Sequence, residues 1–127
     1  MIVAVDTSSL VAYLSGDKGN DVMLLDEILE FGSLMLPPAV LTEILSDPKL
    51  PIGVSKFIEA IPLFEISMGY WKRAAKLRAK IIAKSQKARL GDALIAQSCI
   101  DHDVPLITRD RDFRHYAKVD SLKLYNP

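Results

Sequence analysis

Only one cysteine, Cys99, occurs in 127 residues, so no disulfide can form within the chain and a cysteine-paired secreted scaffold is excluded. Long apolar runs are missing too. The opening MIVAVDTSSLVAYL has no basic leader and meets an acid at Asp6, which breaks the run that a signal peptide or membrane span requires. These absences lead to the expectation of a cytoplasmic protein without a membrane association. Glycines are few and scattered at Gly16, Gly19, Gly32, Gly53, Gly69 and Gly91, which removes the clustered glycines of P-loop and dinucleotide sites. The two histidines, His102 and His115, fall near expected helix ends. With Cys99 they make no recognisable zinc set, and neither gives Ser8 or Ser9 the base that a hydrolase triad needs.

Acids are absent from residues 66–91, a stretch that carries eight cations. Residues 1–65 hold ten acids against three cations, and residues 92–127 hold six against five. The formal net charge of zero therefore conceals a polarised molecule, and the asymmetry suits an anionic partner on one face.

Half of the residues are hydrophobic, enough for residues 1–127 to form one compact domain with its own core. Ile2 to Val5 reads as a buried strand that feeds a helix ending near Gly16. An amphipathic helix spans Asp21 to Phe31, with Val22, Leu25, Ile28 and Leu29 on its apolar face and Gly32 closing it. Further strands are expected at Leu34 to Leu36, Leu63 to Ile66, Pro105 to Thr108 and Leu122 to Tyr125. Further helices are expected at Ala39 to Leu45, Val54 to Ile61, Tyr70 to Lys87 and Gly91 to Ile100, with Pro37 and Pro38 suiting a first helical turn. This alternation predicts an α/β fold: a three-layer sandwich with a central, mainly parallel sheet of four to five strands flanked by helices.

In open α/β sheets, polar residues directly after a strand lie where ligands bind, and Asp6 and Asp110 both follow strands. An aspartate there also caps the next helix, so both readings stand. Asp92 is more pointed. It opens a helix that is apolar nearly all round, on the side of Ile95, Ala96 and Cys99, so its carboxylate faces the interior or a cleft and needs a partner. The competing account is an acid favoured by the helix dipole. Glu43 borders the apolar arc of Val40, Leu41, Ile44 and Leu45, a position that is usually solvated.

Taken together, VDTSSLVAYL, PPAVLTEIL, LGDALIAQSCI and LITRDRDF resemble, in order and spacing and over nearly the whole length, the PIN-domain family and within it the VapC-type toxins. The resemblance implies a ribonuclease in which Asp6, Glu43, Asp92 and Asp110 bind Mg²⁺ or Mn²⁺. Ser8 and Thr108 would support a carboxylate or water, with Asp112 an accessory acid unless it caps the segment from Phe113 to Ala117. It further implies products with 5′-phosphate and 3′-hydroxyl ends, a structured RNA substrate such as transfer or ribosomal RNA, a small antitoxin, and a homodimer formed through the helices Asp21 to Phe31 and Val54 to Ile61. A non-catalytic module of the same fold that binds RNA or protein is the alternative. The electrostatics agree: two like charges about 4 Å apart repel by roughly 4 kcal/mol at an effective dielectric of 20, so converging carboxylates need a cation or shared protons. Oxygen-only ligands select hard ions.

Lys72, Lys76, Lys80 and Lys84 recur every four residues and form a stripe able to follow a phosphate backbone, or simply a solvated face. Trp71, Ala74, Ala75, Ile81 and Ile82 are expected to face the core behind it. Arg89, Arg109 and Arg111 flank the acids and are expected to grip the substrate or an acidic partner.

Overall fold

The computed structural model describes residues 1–126. Its centre is β1 (Ile2–Val5), where Val3, Ala4 and Val5 are fully buried. Burying side chains as large as Val on this strand contributes about 1.5–3 kcal/mol each. On one side β1 pairs in parallel with β2 (Ser33–Met35), Ala4 opposite Met35, and on the other with β3 (Leu106–Ile107), Val5 opposite Ile107. The order is β2-β1-β3.

Among the described residues, seven helices flank this sheet: α1 (Thr7–Leu14), α2 (Asn20–Phe31), α3 (Pro38–Leu45), α4 (Ile52–Glu59), α5 (Tyr70–Ala83), α6 (Leu90–His102) and α7 (Phe113–Val119). The expected layered α/β fold with a parallel sheet is present, with three strands among the described residues. The expected strands at Leu63 to Ile66 and Leu122 to Tyr125 shrink to single parallel bridges, Leu36 to Leu63 and Leu106 to Leu124. Leu63 and Ile66 are 40% and 42% exposed, so that segment lacks the buried face that would hold it in register.

Local chemistry sets the helix limits. Pro38 occupies the first turn of α3, where a missing N–H costs nothing. The long helix ends at Ala83, short of Lys87, because Ser85 adopts a left-handed backbone at φ 58°. Its phase also differs from expectation. Tyr70 is buried with its hydroxyl donating to the Leu94 carbonyl at 2.7 Å, so Tyr70, Ala74, Leu77 and Ile81 face the core. Trp71 and Ile82, each one residue (about 100°) further round, are 64% and 52% exposed, and Ala75 is exposed as well. In α6 the run from Ile95 to Cys99 is buried throughout, its polar Gln97 and Ser98 included. Burial pushes the Cys99 thiol well above its ordinary value, leaving it a core residue.

Candidate active site

Because β1 runs between β2 and β3, the direction of chain crossover reverses at β1, and the crevice beyond the carboxyl ends of β1 and β3 is the natural ligand position. Asp6 leaves the end of β1, and Thr108 to Asp110 leave the end of β3. Asp6 is 3% exposed. One carboxylate oxygen caps α1 by accepting from the Ser9 N–H at 3.0 Å; the other accepts from the hydroxyls of Ser8 and Thr108, both at 2.7 Å. Capping and site placement are thus both satisfied by one side chain. Burial outweighs these donors and holds the Asp6 carboxyl above its usual range, with Asp110 adding repulsion.

Thr108 works in two directions, since its hydroxyl oxygen also accepts from the Asp110 N–H at 3.0 Å. Asp110 in turn accepts from the Asp112 N–H at 2.9 Å, which folds the loop into a tight turn. Asp112 stands at the N-terminal boundary of α7, yet its side chain makes no capping bond. Instead Asp92, Asp110 and Asp112 each offer an oxygen, and these oxygens lie within 4.8 Å of one another. Asp92 arrives from the first turn of α6. Its pKa is raised to about 6, first by burial and then by Asp110, with Asp6 and Glu43 adding to the effect and Arg89 opposing it. Glu43 approaches from α3. It accepts from the Thr7 hydroxyl at 2.8 Å and rests against Gly91, where an added Cβ would come within 3.3 Å of its carboxylate. Hard oxygen donors, crowded and short of positive charge, fit a divalent cation of the Mg²⁺ or Mn²⁺ kind.

Residues 3–119 match the sequence pattern of the PIN domain. The chain belongs to the PIN domain family. No curated protein sequence matches it. Among solved structures, this PIN domain is similar to a chain of VapBC2 from Rickettsia felis bound to a DNA fragment from their promoter, at 19% identity and a TM-score of 0.76, covering 100% of this chain and 99% of that one. It is similar to VapBC-1 from nontypeable Haemophilus influenzae at 16% identity and a TM-score of 0.75, covering 99% and 98%. FitAcB from Neisseria gonorrhoeae matches at 21% identity and a TM-score of 0.66, covering 100% and 98%. At such identities the likeness concerns the fold.

The basic residues of this PIN domain divide into distinct settings. Arg89 is exposed at the boundary of α6, beside Asp92. Arg109, expected to grip substrate, is held by Asp21 through two contacts of 2.8 and 3.1 Å and by the Lys18 carbonyl at 3.2 Å; Asp21 also accepts from Ser9 at 2.8 Å. Arg109 therefore fastens the start of α2 to the loop after β3. Arg109→Ala is expected to lower the melting temperature clearly more than Arg111→Ala; equal melting of the two variants would sink this structural role. Lys72, Lys76, Lys80 and Lys84 are exposed, with the Lys80 ammonium 3.5 Å from Asp120. Among the described residues, no helix is long and apolar enough to cross a membrane.

Two contributors had no distinctive sequence signal. Thr7 follows Asp6 directly but reads only as part of a capping turn until α3 is seen beside it. Tyr116 is fully buried, and its hydroxyl has no hydrogen-bond partner among the described residues. Burial pushes that phenol up to about 12, and the Asp92 carboxylate reinforces the effect. Its position four residues after Asp112, on the same helical face, was the available hint.

Proposed function

We propose that this PIN domain is a metal-dependent endoribonuclease, the toxin of a toxin–antitoxin pair, acting on structured RNA such as transfer or ribosomal RNA. The observation that carries this reading is the meeting of Asp92, Asp110 and Asp112 within 4.8 Å at the crevice beyond β1 and β3. Asp6, Glu43, Asp92 and Asp110 would hold Mg²⁺ or Mn²⁺, with Asp112 as an accessory acid. When bound, the ion supplies charge neutralisation at the scissile phosphate and a more acidic water.

The chain's own residues do the rest. Ser8, Thr108 and the Ser9 N–H fix the Asp6 carboxylate in one orientation. The Asp112 N–H holds the Asp110 carboxylate, while the Thr108 hydroxyl accepts from the Asp110 backbone N–H. Asp110 or Asp92 would orient the attacking water, and no side-chain nucleophile is required. Arg89 and Arg111, exposed next to the acids, meet the phosphate backbone, with the α5 lysines extending the cationic surface.

An antitoxin and a second copy of the chain complete the reading. Phe31, Ile52 and Phe57 around α2 and α4 leave apolar surface exposed for such partners.

End-labelled RNA incubated with the purified protein tests the enzyme. Cleavage in Mg²⁺ or Mn²⁺ that stops in EDTA, leaving 5′-phosphate and 3′-hydroxyl ends, is the expected result. Cleavage indifferent to EDTA would overturn the metal centre. RNA that is bound but left intact would favour the non-catalytic module.

A further inference from the structure

Next to the acids, past the end of β3, lies a cavity of about 360 Å³ lined by Asn20, Leu24, Arg111, Arg114 and Tyr125. It shares Thr108 and Asp110 with the acidic centre. We propose that this cavity is a nucleotide subsite, taking one nucleotide of the RNA beside the scissile bond, with phosphate on Arg111 and Arg114 and base against Tyr125. The inference rests on the nuclease reading for its substrate and names where that substrate is held.

Charge complementarity argues for this occupant. Asp21 also lines the cavity, but Arg109 neutralises it at 2.8 Å. Asp110 is turned to the shared acidic cluster. Arg111 and Arg114 have no ion-pair partner among the described residues. The Arg114 N–H donates to the Arg111 carbonyl at 3.0 Å, so the two arginines leave a single turn, and both line the cavity. Paired arginines match a phosphate, which accepts two parallel hydrogen bonds from each planar fork.

The remaining wall suits a base. Leu24, Leu106 and Leu124 make it apolar, and Tyr125 is half-buried, with its own N–H donating to the Leu106 carbonyl at 2.8 Å. The backbone of Tyr125 is thus anchored beside the cavity it lines, and stacking on a tyrosine ring tolerates any base. The Asn20 amide offers both a donor and an acceptor to a base edge. A free phosphate or an acidic peptide would use the arginines alone and leave the aromatic and apolar wall without a role. The volume is in the range of about 300–1,000 Å³ usual for small-molecule sites.

The test uses the whole protein in EDTA, so that no cleavage accompanies binding. Nucleoside 5′-monophosphates, inorganic phosphate and an oligoglutamate peptide are titrated separately, with NMR shifts as the readout. The nucleotides should bind at least about tenfold more tightly than phosphate. Arg111→Ala with Arg114→Ala should weaken both by about tenfold per arginine, and Tyr125→Leu, which keeps apolar bulk, should weaken the nucleotides alone by about tenfold.

Nucleotide binding unchanged in the arginine double variant, phosphate binding as tightly as the nucleotides, or oligoglutamate binding more tightly than they do would each overturn the subsite. Thermal melting close to wild type certifies that the variants are folded, and Arg111→Lys with Arg114→Lys gives a second, charge-preserving comparison expected to retain most of the phosphate affinity. In RNA cleavage, Arg114→Ala should raise KM and leave kcat unchanged. Failure of wild type to cleave RNA would sink the nuclease reading while the chelated titration still decides the cavity; cleavage without nucleotide binding would do the reverse.

Discussion

Asp92→Asn is expected to lower single-turnover RNA cleavage in Mg²⁺ by about a thousandfold, since loss of several kcal/mol of charge stabilisation at the phosphate has that effect on a rate. The substitution is nearly isosteric. It keeps the first turn of α6 in place and withdraws one anionic oxygen from the group shared with Asp110 and Asp112. Asp112→Asn is expected to have a smaller effect, about 10–100-fold, if Asp112 supports the ion from outside its ligand set. Comparable, minor losses in both variants would show that the three aspartates do not form the working centre. Activity persisting unchanged in Asp92→Asn would point to a contaminating nuclease.

The second large effect is on stability, and its direction follows from protonation. Asp92 titrates near 6 in the folded protein and about 4 when unfolded, so the folded state binds its proton more tightly. That contribution to stability is complete below about pH 4 and is lost as pH rises to about 6. Asp6, also shifted upward, acts in the same direction. Asp21, Asp101 and Asp120 are shifted downward, chiefly by Arg109, Arg73 and the Ser121 N–H acting against burial, and they withdraw stability only at still lower pH, as they become protonated.

In chelator at pH 7.5, Asp92→Asn should therefore melt above wild type. Two pKa units correspond to at most about 3 kcal/mol, which solvent screening of this part-exposed group reduces to about 1–2 kcal/mol. Loss of an acid at a helix N-terminus takes back about 0.3–1 kcal/mol. The remainder, up to about 1.7 kcal/mol, raises the midpoint by up to about 7 °C, and it should vanish near pH 4. Excess Mg²⁺ should reverse the order by stabilising wild type, by about 2.7 kcal/mol at a hundred times its dissociation constant. Parallel melting curves for the two proteins across pH and metal would refute this account.

What could be read in the sequence depended on whether the signal was local. Asp6 stood out because an apolar strand ended on it, and Asp92 because the helix behind it was apolar nearly all round. The role of Arg109 was hidden, since Asp21 lies 88 residues away and nothing near either residue announces the pair. The phase of α5 was misjudged because Tyr70 and Trp71 are adjacent and similar in kind. A tertiary hydrogen bond from Tyr70 to the Leu94 carbonyl settles which of them turns inward. The strand expected at Leu63 to Ile66 had suitable composition, but pairing depends on a covered face, and two of its apolar side chains are left open to solvent.

The bond from Thr108 to Asp6 joins positions 102 residues apart. During synthesis Asp6 emerges about a hundred residues before the hydroxyl that steadies it. The crevice at the ends of β1 and β3 is therefore incomplete in any fragment that stops short of Thr108, and its acidic group forms only when chain segments on both sides of that span are present.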